Sequence, residues 1–156
     1  MAVWYEVERT ERGIADFMEC NRKFRDFRIE RITFVAEDDT CEIYLKHATC
    51  AGGLVLRFSE LCDMFIRVDG DYLESWLAGA TLLVRKNGAI RWIAAGNVAE
   101  DALQDCAFAT WVESHRLTWA ITDAEEQPAE IQAQQLHGYW NTGSKNRNSD
   151  SPFTMA

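Results

Sequence analysis

The feature that most constrains the fold is a two-residue alternation of apolar and polar side chains. It is clearest over residues 41–46, where Cys41, Ile43 and Leu45 are separated by polar or amphipathic side chains. Successive side chains of a β-strand point to opposite faces, so this pattern predicts a strand with one buried face. A helix would need a period near 3.6 residues, which this segment lacks.

The same alternation recurs along most of the chain and predicts about eight strands. Apart from 41–46, the predicted strands are 27–34, 54–58, 62–68, 82–84, 90–92, 106–110 and 117–121. A change of phase near Glu30 and Arg31 predicts either a β-bulge in the first of them or a strand that is covered on both faces. Turns are predicted at 51–53, at 69–71, at the Asn-Gly pair Asn87-Gly88 and near Glu113-Ser114. Short connections between strands favour antiparallel pairing.

Helical spacing appears near the two ends of this strand-rich region. Ile14, Phe17 and Met18 share one face of a helix predicted over residues 10–22, with Thr10 as its N-cap. A short helical turn is predicted at 72–79, and a closing helix at about 128–137. The polar stretch 139–156 reads as a tail. The fold class predicted is therefore α+β, mostly antiparallel sheet, with a single domain over 1–138 and a flexible tail over 139–156.

Cysteine content and apolar runs bear on the compartment. The chain has 156 residues, five of them cysteines at wide spacings, and no apolar run of about 18 residues. The N-terminus lacks the pattern of a secretory signal. We therefore expect free thiols in a cytoplasmic protein with no membrane contact.

The acidic residues are concentrated in one part of the sequence. The net charge is −9, and residues 97–138 hold eight acidic side chains and one basic one. This argues against nucleic-acid binding, which needs clustered Lys and Arg, and favours a basic protein as partner. Charge that serves only solubility is the alternative. The predicted partner-binding residues are Asp101, Asp105, Trp111, Glu113, Asp123, Glu125 and Glu126.

The sequence holds no phosphate-binding loop, dinucleotide fingerprint, nucleophile elbow or His-Glu-x-x-His pair. The best metal candidate is the trio Cys41, His47 and Cys50, which matches no established zinc spacing. We interpret these residues as parts of the core and predict no catalytic residue, no metal and no cofactor. The protein is expected not to be an enzyme.

The six Trp residues divide by position. Trp92 and Trp119 are in phase with core positions, whereas Trp4, Trp76 and Trp140 lie at segment edges, where an exposed contact is expected. Aromatic side chains lining a cavity are the basis of an alternative function, a β-roll or barrel that binds a small molecule. An open sheet also leaves edge strands through which a homodimer can form.

The segment Phe24-Arg25-Asp26-Phe27-Arg28-Ile29 resembles the Phe-His-Asp-x-x-Ile motif that opens the first strand in a loose group of small bacterial proteins. Some of that group look like immunity proteins of toxin systems. Arg25 stands where the group has His, so no role of that His is carried over, and Asp26 is expected to cap the start of the strand. The resemblance implies a binding protein. We predict a non-enzymatic protein-binding module, of immunity type, with an acidic binding face.

Overall fold

The computed structural model describes residues 3–67, 75–100 and 109–122. These residues form one α-helix and a seven-stranded, fully antiparallel sheet, which confirms the predicted α+β class with mostly antiparallel strands. The elements are β1 (Tyr5–Glu6), α1 (Glu11–Cys20), β2 (Phe27–Val35), β3 (Thr40–His47), β4 (Gly53–Phe65), β5 (Thr81–Val84), β6 (Ile90–Ile93) and β7 (Trp111–Thr122).

The strand order is β2-β3-β4-β7-β6-β5. Strand β7 pairs with β4 along its whole length. The other side of β7 is shared, because β6 pairs with its first residues and β1 pairs with Thr118 and Trp119. The two longest strands, β4 and β7, are therefore the centre of the sheet.

Helix α1 confirms the predicted N-terminal helix, although it is shorter than the predicted range of 10–22. The Thr10 hydroxyl oxygen accepts a hydrogen bond of 3.0 Å from the Gly13 N–H, as an N-cap does. Phe17 and Cys20 are buried against the sheet. The helix stops where Asn21 turns its side-chain amide back to the Phe17 carbonyl, at 3.1 Å.

A left-handed turn follows the helix. Arg22, Lys23 and Phe24 have φ angles of 56°, 53° and 64°, a conformation that costs about 1–2 kcal/mol for each residue with a side chain. The turn places Phe24, fully buried, among the rings of Phe17, Phe27 and Trp92 at centroid distances of 5.5, 5.8 and 5.6 Å. Burial of a Phe contributes about 1.5–3 kcal/mol and each ring pair about 0.5–1.5 kcal/mol, which is enough to offset the strain.

Two local sequence signals are confirmed. The register of β2 against β3 shifts between Ile29 and Arg31, where the bulge was predicted. The Asn-Gly hairpin joins β5 to β6, with the Gly88 N–H donating to the Arg85 carbonyl at 2.9 Å. Gly88 has φ 88°, whereas Asn87 is not among the residues with positive φ, so the turn uses the conformational freedom of the glycine alone.

Two strand boundaries were predicted wrongly. The segments 54–58 and 62–68 are not separate strands, because β4 runs unbroken from Gly53 to Phe65. The turn predicted near Glu113-Ser114 is a continuous part of β7. Polar residues are tolerated there because Glu113 is ion-paired with Arg91 and the Ser114 hydroxyl donates to the Arg116 carbonyl.

Several predicted elements fall wholly or partly outside the described residues. They are the turn at 69–71, most of the strand at 106–110, part of the turn at 72–79, the helix at 128–137 and the tail at 139–156. Residues 75–79 are described and are not helical. Within the described ranges, no helix has the length and apolarity needed to cross a membrane.

The core lies between α1 and the face of the sheet that we call the inner face. Trp92, Phe58, Ile43 and Leu56 are fully buried there, and the rings of Phe58 and Trp92 are 6.3 Å apart. The alternation of β4 is interrupted near Glu60, whose φ is 56°. Phe58 before this point, and Leu61 and Met64 after it, pack against the core. The opposite, outer face carries the polar members of the alternation on β2 and β3, and at β6 and β7 it holds a second, small apolar cluster around Ile93 and Ala109.

At Gly53 the neighbouring strands leave no room for a side chain. A Cβ at this position would collide with the Leu45 carbonyl oxygen and lie 2.9 Å from the Thr122 hydroxyl. We expect Gly53→Ala to lower the free energy of unfolding by about 1–3 kcal/mol in chemical denaturation, because neither neighbouring strand can move away freely.

Gly96→Ala is the matched control, since its Cβ would meet only Gly79, at 3.7 Å. We expect this variant to stay within about 0.5 kcal/mol of the parent. Equal stabilities for the two variants would show that the sheet does not close around Gly53 as described.

Candidate functional site: an arginine–aromatic network on the outer face

The outer face of β2, β3 and β4 is rich in arginine and aromatic side chains. The alternation that turns Ile43 and Leu45 inward turns Glu42 and Tyr44 outward, and Arg57 lies opposite Glu42 in the register of β3 and β4. Interfaces are enriched in Trp, Tyr and Arg because these side chains combine large contact area with polar groups. This face is therefore a candidate binding surface.

Trp4 lies across the outer face and covers Arg57. The Arg57 guanidinium carbon is 3.8 Å from the centroid of the Trp4 ring, a cation–π distance. Strand β1 pairs with β7, and extending its register by one residue puts Trp4 opposite Ala120. The small Ala120 leaves room for the indole to reach over β7 to Arg57.

Glu42 connects the neighbouring side chains. Its carboxylate accepts hydrogen bonds from the Arg57 Nε and from the Tyr44 hydroxyl, both at 2.7 Å. The guanidinium of Arg31 is stacked 3.9 Å from the centroid of the Tyr44 ring. We call the set Trp4, Arg31, Glu42, Tyr44 and Arg57 the outer-face network.

The network shifts the pKa values of its members. Burial alone would raise the pKa of Glu42, but the hydrogen bonds from Tyr44 and Arg57 and the charges of Arg57 and Arg31 outweigh it. The pKa of Glu42 is therefore lowered, and this carboxylate is ionised at neutral pH. The pKa of Tyr44 is raised, first by its hydrogen bond to Glu42 and then by burial.

A further stack lies at the edge of the same face, where the Arg28 guanidinium is 4.8 Å from the centroid of Trp76. Trp4 and Trp76 are 36% and 45% exposed, which confirms that these two Trp residues are accessible. Trp92 and Trp119 are in the core as predicted. Trp140 lies outside the described residues.

Of the predicted partner-binding residues, the structure describes Trp111 and Glu113. The Arg91 guanidinium is stacked 3.7 Å from the Trp111 centroid, and its Nε is 2.8 Å from the Glu113 carboxylate. Glu113 is 8% exposed and Arg85 is a second cation 3.8 Å from the same oxygen. Glu113 is therefore a buried, paired carboxylate and not an exposed one. The other five, Asp101, Asp105, Asp123, Glu125 and Glu126, lie outside the described ranges.

The charge of the chain is unevenly divided between the described residues and the rest. The described residues include fourteen basic and fifteen acidic side chains, so they are close to neutral. Residues outside these ranges supply two basic and ten acidic side chains, most of the net charge. The acidic face predicted from the sequence thus depends on residues that the structure does not describe.

The structure separates the Cys41, His47 and Cys50 trio, because Cys41 lies at the start of β3 whereas His47 and Cys50 lie at the β3–β4 turn. The N–H groups of Thr49 and Cys50 donate to His47 Nδ1 at 3.1 and 3.2 Å, so the imidazole organises the turn. Burial raises the pKa of Cys41 to about 11, with a smaller effect of Glu42, which makes this thiol a poor nucleophile. In the described part of the chain, no three His, Cys, Asp or Glu side chains are grouped for metal binding.

A half-open cavity of about 270 Å³ lies between β1 and α1. Phe17 and Trp119 form its apolar wall and Glu8 and Asp16 its polar side. Its volume is just below the range of about 300–1,000 Å³ that is typical of small-molecule sites. The cavity is at the margin of the core, whose centre is filled by aromatic rings.

The residues behind the proposed resemblance have clear structural roles. Phe24 and Phe27 are fully buried. Asp26 has φ 70°, and its backbone N–H donates to the Leu77 carbonyl while its own carbonyl accepts from Ala48. Asp26 therefore starts β2 through backbone contacts, and no hydrogen bond to its carboxylate is found among the described residues.

No family model matches the chain, and no curated protein or solved structure is significantly similar to it. The resemblance to immunity-type proteins therefore stays a prediction.

Glu42 makes the stability of the protein depend on pH. Its pKa is lowered on folding, so its contribution is fully present above its ordinary pKa of 4.5 and is lost as pH falls through the folded value. We expect Glu42→Gln to destabilise the protein by about 1–2 kcal/mol at pH 7, and the difference from the parent to shrink below about pH 4.5.

Glu37→Gln is the control for this experiment, because Glu37 is exposed and forms no ion pair with any described residue. Urea denaturation of the three proteins between pH 3 and 7 gives the comparison. A Glu42→Gln effect that is constant over this range would contradict the assignment of a charged, hydrogen-bonded carboxylate.

Proposed function

We propose that this protein is a non-enzymatic protein-binding module that contacts its partner through the outer-face network. The observation that carries the proposal is the exposed Trp4 ring, fixed over Arg57, which is itself bound to Glu42. Trp and Arg are the residues that most often supply binding energy at protein interfaces.

The cytoplasm is the proposed compartment, in keeping with free thiols at Cys20, Cys41, Cys50 and Cys62.

The members of the network already contact one another in the free protein. Arg57 is held by a carboxylate on one side and an indole on the other, and Arg31 is held by the Tyr44 ring. Ordering a long side chain on association costs about 0.5–1.5 kcal/mol, and side chains that are already fixed avoid most of this cost. A surface that only needed to be soluble would not require such order.

The acidic residues outside the described ranges add a second element to the proposal. The net charge of −9 attracts a basic protein over a long range and raises its association rate. An inhibitor of immunity type that covers a basic enzyme has these properties. In this proposal the outer-face network supplies affinity, and Asp101, Asp105, Asp123, Glu125 and Glu126 supply the rate. Nucleic acid is not a proposed partner.

The first test is capture of the partner from lysate of the native host with the full chain as bait, at low and then high salt. We expect one protein to be retained, and Trp4→Ala to weaken its binding about 30-fold or more. Phe34→Ala is the control, because Phe34 is an exposed aromatic residue outside the network. Loss of binding that is equal in the two variants would contradict a contact centred on Trp4.

The charge component is tested separately with the captured partner. Changing the five acidic residues together to Ser should lower the association rate and flatten its salt dependence, with little change in the dissociation rate. Glu113 is left intact, because removing it would strand the buried Arg91. Unchanged association kinetics would remove the acidic residues from the proposal.

The cavity between β1 and α1 supports a second candidate function, the binding of a small molecule. If this function is correct, members of a fragment library should shift the amide signals of Gly13 and Cys20 and the indole signal of Trp119 in NMR spectra. Shifts scattered over the molecule, or none, would contradict it.

Size-exclusion chromatography with light scattering tests whether a homodimer forms through a sheet edge.

A further inference from the structure

Three cations on β2 and β3 lie together on the outer face although the chain as a whole is acidic. We call Arg28, Arg31 and Lys46 the cation triad. Arg28 and Lys46 are directly opposite each other in the β2–β3 register. Like charges at directly opposed positions destabilise a sheet, so this arrangement has a cost that a purely structural surface would avoid.

The carboxylates of the same strands do not neutralise the triad. Glu42 is bound by Tyr44 and Arg57, and it influences Arg31 only through its charge. Glu30 is exposed at the bulge. Within the described part of the chain, none of the three cations forms a salt bridge.

Two of the three cations are held in a fixed orientation. The Arg28 guanidinium lies over the ring of Trp76 and that of Arg31 over the ring of Tyr44, so a neighbouring aromatic side chain fixes the position of each cation. A planar, pre-oriented guanidinium is well suited to bidentate recognition of a carboxylate.

The triad lies beside an unpaired strand edge. Strand β2 is at one end of the sheet, and the backbone of Leu77 pairs with it only at Asp26 and Phe27. Beyond this point, from Ile29 to Val35, no described strand pairs with the open side of β2. Backbone donors and acceptors on an open edge can bind an extended polypeptide.

We propose that the cation triad and the adjoining edge of β2 bind an extended, carboxylate-rich segment of the partner protein. This inference rests on the proposed function and names the chemistry that the partner brings to one end of the outer face. A nucleic acid would gain nothing from the backbone edge, whereas an extended polypeptide can pair with it. A second copy of β2 would bring its own Arg28 and Arg31 against the same charges.

The probe is a blocked octapeptide of alternating glutamate and valine, compared with its glutamine–valine counterpart. Binding to the full chain is measured by NMR titration at low and high salt. We expect the acidic peptide to bind at least tenfold more tightly at low salt, with this preference reduced at high salt, and to shift the signals of β2. Arg28→Gln and Lys46→Gln should each weaken it about two- to fivefold, and Lys86→Gln, on the distant β5–β6 hairpin, should not.

Equal affinity for the two peptides, or an equal effect of Lys46→Gln and Lys86→Gln, would overturn the inference. Tighter binding of an oligouridylate than of the acidic peptide would overturn it in favour of nucleic acid. If Trp4→Ala abolishes capture of the partner while the peptides are not distinguished, the proposed function stands and this inference fails. If no partner is captured and no peptide binds, both fail.

Discussion

The antiparallel pairing of β4 with β7 positions every other part of this structure. The two strands are the longest in the described chain, and they pair from Gly53 with Thr122 to Phe65 with Trp111. Strand β3 is added to one side of the pair, and β6 and β1 to the other. Because side chains alternate along a strand, this one register decides which residues enter the core and which form the outer face. A shift of one residue would bury Arg57 and expose Phe58.

Local features of the fold were predictable because their causes are local. Thr10 caps its own helix, the change of phase at Glu30 marks its own bulge, and Gly88 closes its own hairpin. The long strands were not predictable, because their continuity depends on partners far away in the sequence. From its local sequence Glu113 is typical of a turn, because the Arg91 that neutralises it lies on another strand. The phase change at Glu60 likewise looks like a strand end unless β7 continues beside it.

The candidate site shows the same division between local and distant information. Exposure of Trp4 and Trp76 followed from their places at segment edges. The network around Trp4 did not, because Trp4, next to β1, reaches Arg57 on β4 only through β7, which pairs with both strands. Composition pointed instead to the acidic residues, and most of these lie outside the described ranges. Arg57 and Glu42 have opposite charges and each alternates with buried residues on neighbouring strands. This pattern could have indicated an ion pair on the outer face.

The inner face of the sheet thus packs a filled aromatic core, and the outer face of β2, β3 and β4 presents arginine and aromatic groups that contact one another. The central claim is that this outer face is the surface on which a partner protein binds. Hydrogen–deuterium exchange of the free protein and of its complex with the captured partner tests it most directly. The account predicts slower exchange in β2 and β3 and around Trp4 in the complex, with α1 unchanged. Protection confined to α1 and the β1–α1 cavity would contradict it.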